Sequence, residues 1–422
     1  MATVETVQTI GAMPMAARQW AIIAGASDLE LHRMDSDDEV FAISGPKHMM
    51  ARSGTGSSPT MMVKVKWDSN EHRRCIVACM VRGAYVMESD RTKRRLGTRR
   101  ARSPAWWESF GFRLRDVLDC DCDCVFCRNR FKFGAQRWSI YGAILEHVPA
   151  AAAGEFRRHP SAPRYIVAFR GTMSPSHRGD THANVELLLN RQHACSRFFD
   201  ARRKVGELLD SIVYYDYDYG RSTAAAIWLA GHSLGASIAL DVGRNMMTER
   251  RRNLPTFLFN PPQVSVAPLL NALRVPDVAR RFLFRISYTV KAKLGAVTAL
   301  RPLERKMEEL FETLAPWAPE LYVHERDIIC RGFIDYFEQR QNMLVGGSSS
   351  HVALHGTKLS LRDMLLFLHA ENKEGNQVQP HLLPSARLWK TSVQGHRHGL
   401  QQWLEPDWIL NLSPRLYSYP GA

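Results

Sequence analysis

The hydrophobic positions change period several times along the chain, and each change predicts an element. Between Arg74 and Glu88 the apolar residues Ile76, Val77, Met80, Val81, Ala84 and Tyr85 recur at helical spacing, which predicts an amphipathic helix packed on a larger body. Trp106-Trp107 and the stretch Phe110 to Leu118 read as a second, aromatic-rich helical segment, with the tryptophans as packing groups. From Ser139 onward strands and helices alternate. Ser139 to Glu146 reads as a strand of small residues or a short helix, and Tyr165-Ile166-Val167-Ala168-Phe169 as a wholly apolar strand between Pro163 and Gly171. Asn184 to Ile212 keeps Val185, Leu188, Leu189, Cys195, Phe199, Val205, Leu208, Leu209 and Ile212 on one helical face. The apolar run Ile227 to Ala230 is the next strand, followed by a helix after Gly235, a strand at Thr256 to Phe259, a helix at Leu303 to Leu314, a strand at Leu321 to His324 and helical residues around Ser360 to Ala370.

Strand, crossover helix and strand in succession imply a parallel sheet, so the expected class is α/β: a mostly parallel sheet flanked by helices, with an N-terminal helical extension. The expected divisions are an unstructured N-terminus at 1–38, a helical segment with basic and cysteine-rich insertions at 39–137, the α/β domain at 138–410 and a tail at 411–422.

Composition narrows this picture in four ways. With 45% hydrophobic residues in 422, the chain can bury a large core. It contains no run of eighteen apolar residues, so no membrane-spanning helix is expected. Its first residues lack the charged, apolar and cleavage-site succession of a secretory signal. Together with eight cysteines this points to reduced thiols and an intracellular, cytoplasmic setting, with an organelle address left open. Four of those cysteines lie in the segment Cys120 to Cys127, where alternate spacing departs from the paired knuckles of structural zinc; an exposed inserted loop without metal is expected.

The net charge of +14 is concentrated in Arg91 to Arg102. Without interleaved aromatics or a nucleic-acid-binding fold around it, this run reads as a solvated linker, and no nucleic-acid partner is expected. A surface that touches anionic membrane is the alternative.

Chemistry enters at Gly231-His232-Ser233-Leu234-Gly235. A Gly-x-Ser-x-Gly pattern alone arises by chance in about one chain of this length in seven. Its weight comes from position, directly after an apolar strand and directly before a helix of small and aliphatic residues. That is a nucleophile elbow, in which a tight turn lifts the serine hydroxyl toward a base and Gly231 and Gly235 leave room for neighbouring backbone. Such a serine needs an imidazole and an acid, in the chain order serine, acid, histidine. Asp327, just beyond a strand's carboxyl end, is the first candidate for the acid, with Glu325, Asp335 and Asp363 as competitors. His398, late in the chain and followed by glycine, is the candidate base, with His351, His355 and His396 as rivals. The oxyanion donors are expected at Leu234, inside the elbow, and at Thr172, in the turn that ends Phe169-Arg170-Gly171-Thr172. His232 should point away from Ser233.

Val167 to Thr172, the elbow, Arg326-Asp327 and His398-Gly399 together resemble the class 3 (fungal-type) lipase family, and most nearly its plant lipase-like α/β-hydrolase branch. The resemblance implies an α/β-hydrolase fold and hydrolysis of carboxylic esters of lipid or small acyl substrates, without cofactor or metal. Carried over by position, it implies Ser233 as nucleophile, Asp327 as acid, His398 as base, and Thr172 with Leu234 as oxyanion donors. A catalytically silent lipase-like scaffold is the alternative reading. Two departures stand out: Met173 to Asp180 is polar where an apolar lid is expected, and Asn260-Pro261-Pro262 replaces the expected Gly-x-Pro-Arg.

Overall fold

The elbow strand lies in the middle of an eight-stranded sheet whose strands follow one another in sequence order. The computed structural model describes residues 65–103, 107–120, 139–148, 159–173, 195–216, 226–263, 301–345, 382–395 and 397–419, with 46, 48, 49, 180 and 184 besides. The strands are β1 (Phe112–Cys120), β2 (Ser139–His147), β3 (Tyr165–Phe169), β4 (Ile227–His232), β5 (Thr256–Phe259), β6 (Glu320–His324), β7 (Ala386–Thr391) and β8 (Ser413–Tyr417). From β3 to β7 each neighbouring pair is parallel, while β1, β2 and β8 add antiparallel margins. Among the described residues the helices are α1 (Asn70–Thr92), α2 (Ser196–Asp216), α3 (Leu234–Arg250), α4 (Arg301–Leu314), α5 (Gly332–Val345) and the short α6 (Asp407–Leu410). The expected α/β class, with a mostly parallel sheet between helices, is the observed one.

The apolar runs exist because both sheet faces are covered. Tyr165, Val167, Phe169, Ile227, Leu229 and Leu258 face one core, shared with α2 and α3. Their alternates Ile166, Ala168, Trp228, Ala230 and Phe257 face a second core under α1. With both sides buried, a strand loses the polar alternation that marks a solvent-facing one.

Three expectations are corrected. Of Phe110 to Leu118, read as helical, Phe112 onward lies in β1 instead and Phe110 ends a 3-10 turn. Phe110, Leu114, Val117 and Leu118 fall at helical intervals, but a register shift between Leu114 and Asp116 breaks the period of two and so disguises a strand paired with β2. The segment 39–137 is therefore not helical throughout, nor separate from the sheet. The tail at 411–422 likewise contributes β8, paired antiparallel with β7. The third concerns α1, which is buried on nearly every side from Arg74 to Arg91 and not on one face alone. It packs on β2, β3 and β4 and under the 3-10 turn Leu400–Leu404; Arg74, Glu88, Asp90 and Arg91 keep their charges in ion pairs, and Arg82 hydrogen-bonds to the Gln401 amide. Arg74 reaches Asp407 Oδ1 at 2.7 Å, and Arg91 reaches Glu88 at 2.6 Å.

The arginine run is also less slack than a linker. Asp90 gathers it: Oδ2 accepts the backbone N–H of Arg102 at 2.8 Å and of Ser103 at 3.0 Å, and Arg95 pairs with the same carboxylate at 3.1 Å. Arg94, Arg99 and Arg100 stay exposed on the resulting loop. The N-terminus 1–38, most of the Cys120 to Cys127 loop, Trp106, and the stretch around Ser360 to Ala370 lie outside the described residues. Among those described, no helix is long and apolar enough to cross a membrane, and no cluster of potential metal ligands occurs.

Candidate active site

Parallel strands in register release their carboxyl ends at one edge. Phe169 pairs with Gly231, His232 with Phe259, and Phe259 with Tyr322, so the turns after β3, β4, β5 and β6 emerge side by side. Thr172, Ser233, Asn260 and Asp327 sit on those four turns. Ser233 caps α3 with φ 52° and ψ −123°, a backbone conformation that costs a non-glycine residue of order 1–3 kcal/mol. The strain is held by the glycines around it. A Cβ on Gly231 would lie 2.1 Å from the carbonyl oxygen of Gly235, and one on Gly235 would lie 2.3 Å from that of Phe169. Gly235→Ala should therefore destabilise the fold by about 1–3 kcal/mol through overpacking against backbone. It should also push β3, and Thr172 with it, away from the elbow. Thermal unfolding together with activity checks this, since both are expected to fall.

The serine hydroxyl lies 2.9 Å from His398 Nε2, and His398 Nδ1 lies 2.7 Å from Asp327 Oδ2. The carboxylate can only accept, so Nδ1 carries the proton and Nε2 is left to receive the one on Ser233. Burial alone would raise the Asp327 carboxyl, but the His398 ring and hydrogen bonds from His398, Cys330 and the Ile329 N–H outweigh it, leaving its pKa below the ordinary value. Exposure increases along the chain of bonds, from 3% at the Asp327 side chain to 13% at His398, with Ser233 partly open beyond them. Of the competing acids, Glu325 lies near Lys390 and Asp335 is in α5. Asp363, His351, His355 and His396 lie outside the described residues.

His232 does point away from Ser233. Its Nε2–H donates to the His398 carbonyl at 2.7 Å, and its Nδ1 accepts the Tyr85 hydroxyl at 2.8 Å. The Tyr85 oxygen in turn accepts the Gly171 N–H at 2.7 Å. Burial first, and then the neighbouring His398, push the His232 pKa down to about 3, so this ring stays neutral and does not compete for the serine proton. The Gly171 N–H is occupied, whereas no acceptor among the described residues stands against the N–H groups of Thr172 and Leu234. Thr172 Oγ1 accepts from Asn184 Nδ2 at 3.0 Å, which leaves its hydroxyl hydrogen available. The next residue, Met173, donates its N–H to Asp180 Oδ2 at 3.2 Å. Asp180 is fully buried and is paired with Arg170 at 2.8 Å and Arg197 at 2.6 Å. The polar character of Met173 to Asp180 thus includes a residue that anchors the turn from beneath.

Sequence reasoning missed Tyr85, Asp180, Asn184 and Asn260. Only Asn260 carried a signal, as a departure from the resembled motif; the others reach the site through tertiary packing.

The chain is 30% identical over 397 residues to a GDSL esterase/lipase of Arabidopsis thaliana, which covers 89% of this chain and 97% of the relative. It belongs to that esterase/lipase family. No family model matches the chain, and no solved structure does. The relative's name refers to a Gly-Asp-Ser-Leu motif, which this sequence does not contain; here the serine in contact with an imidazole lies in Gly-His-Ser-Leu-Gly.

Proposed function

We propose that the protein is a serine hydrolase of carboxylic esters, of the class 3 lipase type, acting on lipid acyl esters through an acyl-enzyme. The observation that carries this reading is the unbroken hydrogen-bonded path from Ser233 through His398 to Asp327. Family membership with an esterase/lipase supports it. In this reading His398 Nε2 takes the proton as Ser233 Oγ attacks the acyl carbon, and the carbonyl electron pair moves onto oxygen. The N–H groups of Leu234 and Thr172 receive that oxyanion, aided by the N-terminus of α3, whose partial positive charge faces the same point. His398 then returns the proton to the departing alcohol. Water repeats the sequence on the acyl-serine, and Asp327 stabilises the imidazolium in both halves. The residues of this mechanism require no cofactor. The test is labelling by a fluorophosphonate probe: the intact chain reacts and Ser233→Ala does not, whereas an unlabelled but folded wild type removes the proposal.

The basic loop fits a lipid substrate. Helix α1 begins near the amino ends of the parallel strands, where Asp68 accepts from Ser161 at 2.7 Å, and passes the site at Tyr85. Its last turns rise about 10 Å further. Arg94, Arg99 and Arg100 consequently stand beyond the edge at which the site opens. In the proposed function they hold that edge against an anionic membrane, each contributing roughly 1 kcal/mol near such a surface. The triple change Arg94→Gln, Arg99→Gln, Arg100→Gln should reduce binding to phosphatidylserine-containing vesicles about 100-fold and flatten its salt dependence. Turnover of a short water-soluble ester should be unaffected. Equal vesicle binding by both proteins would show that the loop has no such role.

A further inference from the structure

Asn260 stands immediately after β5, at φ 46°, a left-handed conformation that asparagine tolerates better than most residues. Its backbone N–H is already used, donating to the Tyr322 carbonyl at 2.9 Å. The side chain is buried, and all its polar atoms are engaged. Nδ2 donates to Asp327 Oδ2 at 2.7 Å and to the Arg397 carbonyl at 3.0 Å, while Oδ1 accepts the indole N–H of Trp403 at 2.6 Å.

The orientation of this amide follows from its partners. An indole nitrogen can only donate, and a carboxylate and a carbonyl can only accept. Rotating the amide by half a turn would set donor against donor at Trp403 and oxygen against oxygen at the other two. Trp403 is fully buried in the turn that begins two residues after His398, so it acts as the key that selects one orientation.

We propose that Asn260 is a positioning residue of the triad, a fourth member that fixes the acid and the base relative to each other. Its two amide hydrogens join the Asp327 oxygen that holds the imidazole to the backbone carbonyl of the residue preceding His398. A carboxylate bound by the imidazole alone could rotate about its Cβ–Cγ bond. With the Asn260 hydrogen bond, and the Cys330 thiol 3.0 Å away on the same oxygen, Oδ2 stays aimed at Nδ1. The departure at Asn260-Pro261-Pro262 from the motif of the resembled lipases thus coincides with a contact to the acid. A merely structural asparagine in a left-handed turn would need neither the carboxylate nor the indole.

The inference rests on the ester-hydrolase reading, and its test separates the two. The readout is the second-order rate of fluorophosphonate labelling of the full chain as a function of pH, with thermal unfolding to establish folding. Asn260→Leu should label about 10- to 100-fold more slowly, the penalty expected when a catalytic pair is misplaced by up to about an ångström. Asn260→Asp should displace the acid limb of the profile, because two carboxylates about 2.7 Å apart compete for one proton and so change the counter-charge that faces the imidazole. Trp403→Phe keeps an aromatic ring in the core but removes the indole donor, frees the amide to turn, and should slow labelling several-fold. It decides the matter if the Asn260 variants fail to fold. Wild-type rates in folded Trp403→Phe and Asn260→Leu, or an unshifted acid limb in folded Asn260→Asp, would overturn the proposal while leaving the hydrolase reading intact. A folded wild type that does not label would overturn both.

Discussion

Ser233→Ala should lower the rate of ester hydrolysis roughly 10⁶-fold and abolish fluorophosphonate labelling while the protein stays folded. The size of the effect reflects a group that acts as a unit with its base: once the hydroxyl is gone, His398 has no proton to accept and no covalent intermediate can form. The fold should survive for a local reason. Ser233 pays for its φ of 52° with backbone strain that alanine would meet equally, and among the described contacts its hydroxyl bonds to His398 alone. Ester turnover with a short-chain chromogenic substrate, measured beside thermal unfolding of both proteins, checks this. Substantial residual turnover in a folded variant would mean that another residue carries the reaction.

Asp327→Asn should lower turnover roughly 10⁴-fold, with binding of the ester far less affected. Asp327 Oδ2 accepts from His398, Asn260 and Cys330, and Oδ1 accepts from the Ile329 N–H. An amide cannot satisfy this arrangement. If its NH₂ takes the Oδ2 position it meets three donors, and if it takes the Oδ1 position it meets the Ile329 N–H. The imidazolium also loses its counter-charge. The same substitution predicts a change in acid stability. Because the folded carboxyl lies below its unfolded value, it stabilises the native state above that value, and this contribution is lost as pH falls through the lower folded one. The variant should therefore show a flatter loss of stability than wild type below about pH 4. Unfolding temperatures measured across that range would test it. Wild-type turnover, in contrast, should fall on the acid side through protonation of His398, since Asp327 remains ionised there.

Much of the sheet was legible in the chain because burial on both faces leaves uninterrupted apolar runs. Tyr165 to Phe169, Ile227 to Ala230, Thr256 to Phe259 and Leu321 to His324 read as strands for that reason. Strands at and next to the two edges were harder. β1 resembled a helix because of its register shift, and β7 and β8 went unnoticed because Arg387, Lys390 and Arg415 interrupt the apolar signal where the sheet meets solvent. Helix α1 was recognised, but its burial on all sides was not, since some of the groups that satisfy its charges, the Ile140 N–H on Glu88 and Asp407 on Arg74, come from residues 52 and 333 positions away.

By itself the sequence determined the elbow. Gly231, Ser233 and Gly235 are local, and so are the steric demands of a strand turning sharply into a helix. It also limited the acid and the base to a few candidates by chain order. Only the tertiary structure decided which of them meet, because a hydrogen bond of 2.7 Å between residues 71 apart depends on how β6 and the loop after β7 are registered in the sheet. It alone revealed Tyr85, Asp180, Asn184 and Asn260 around the site. Their roles rest on donor and acceptor geometry across distant segments, for which spacing along the chain carries no physical signal.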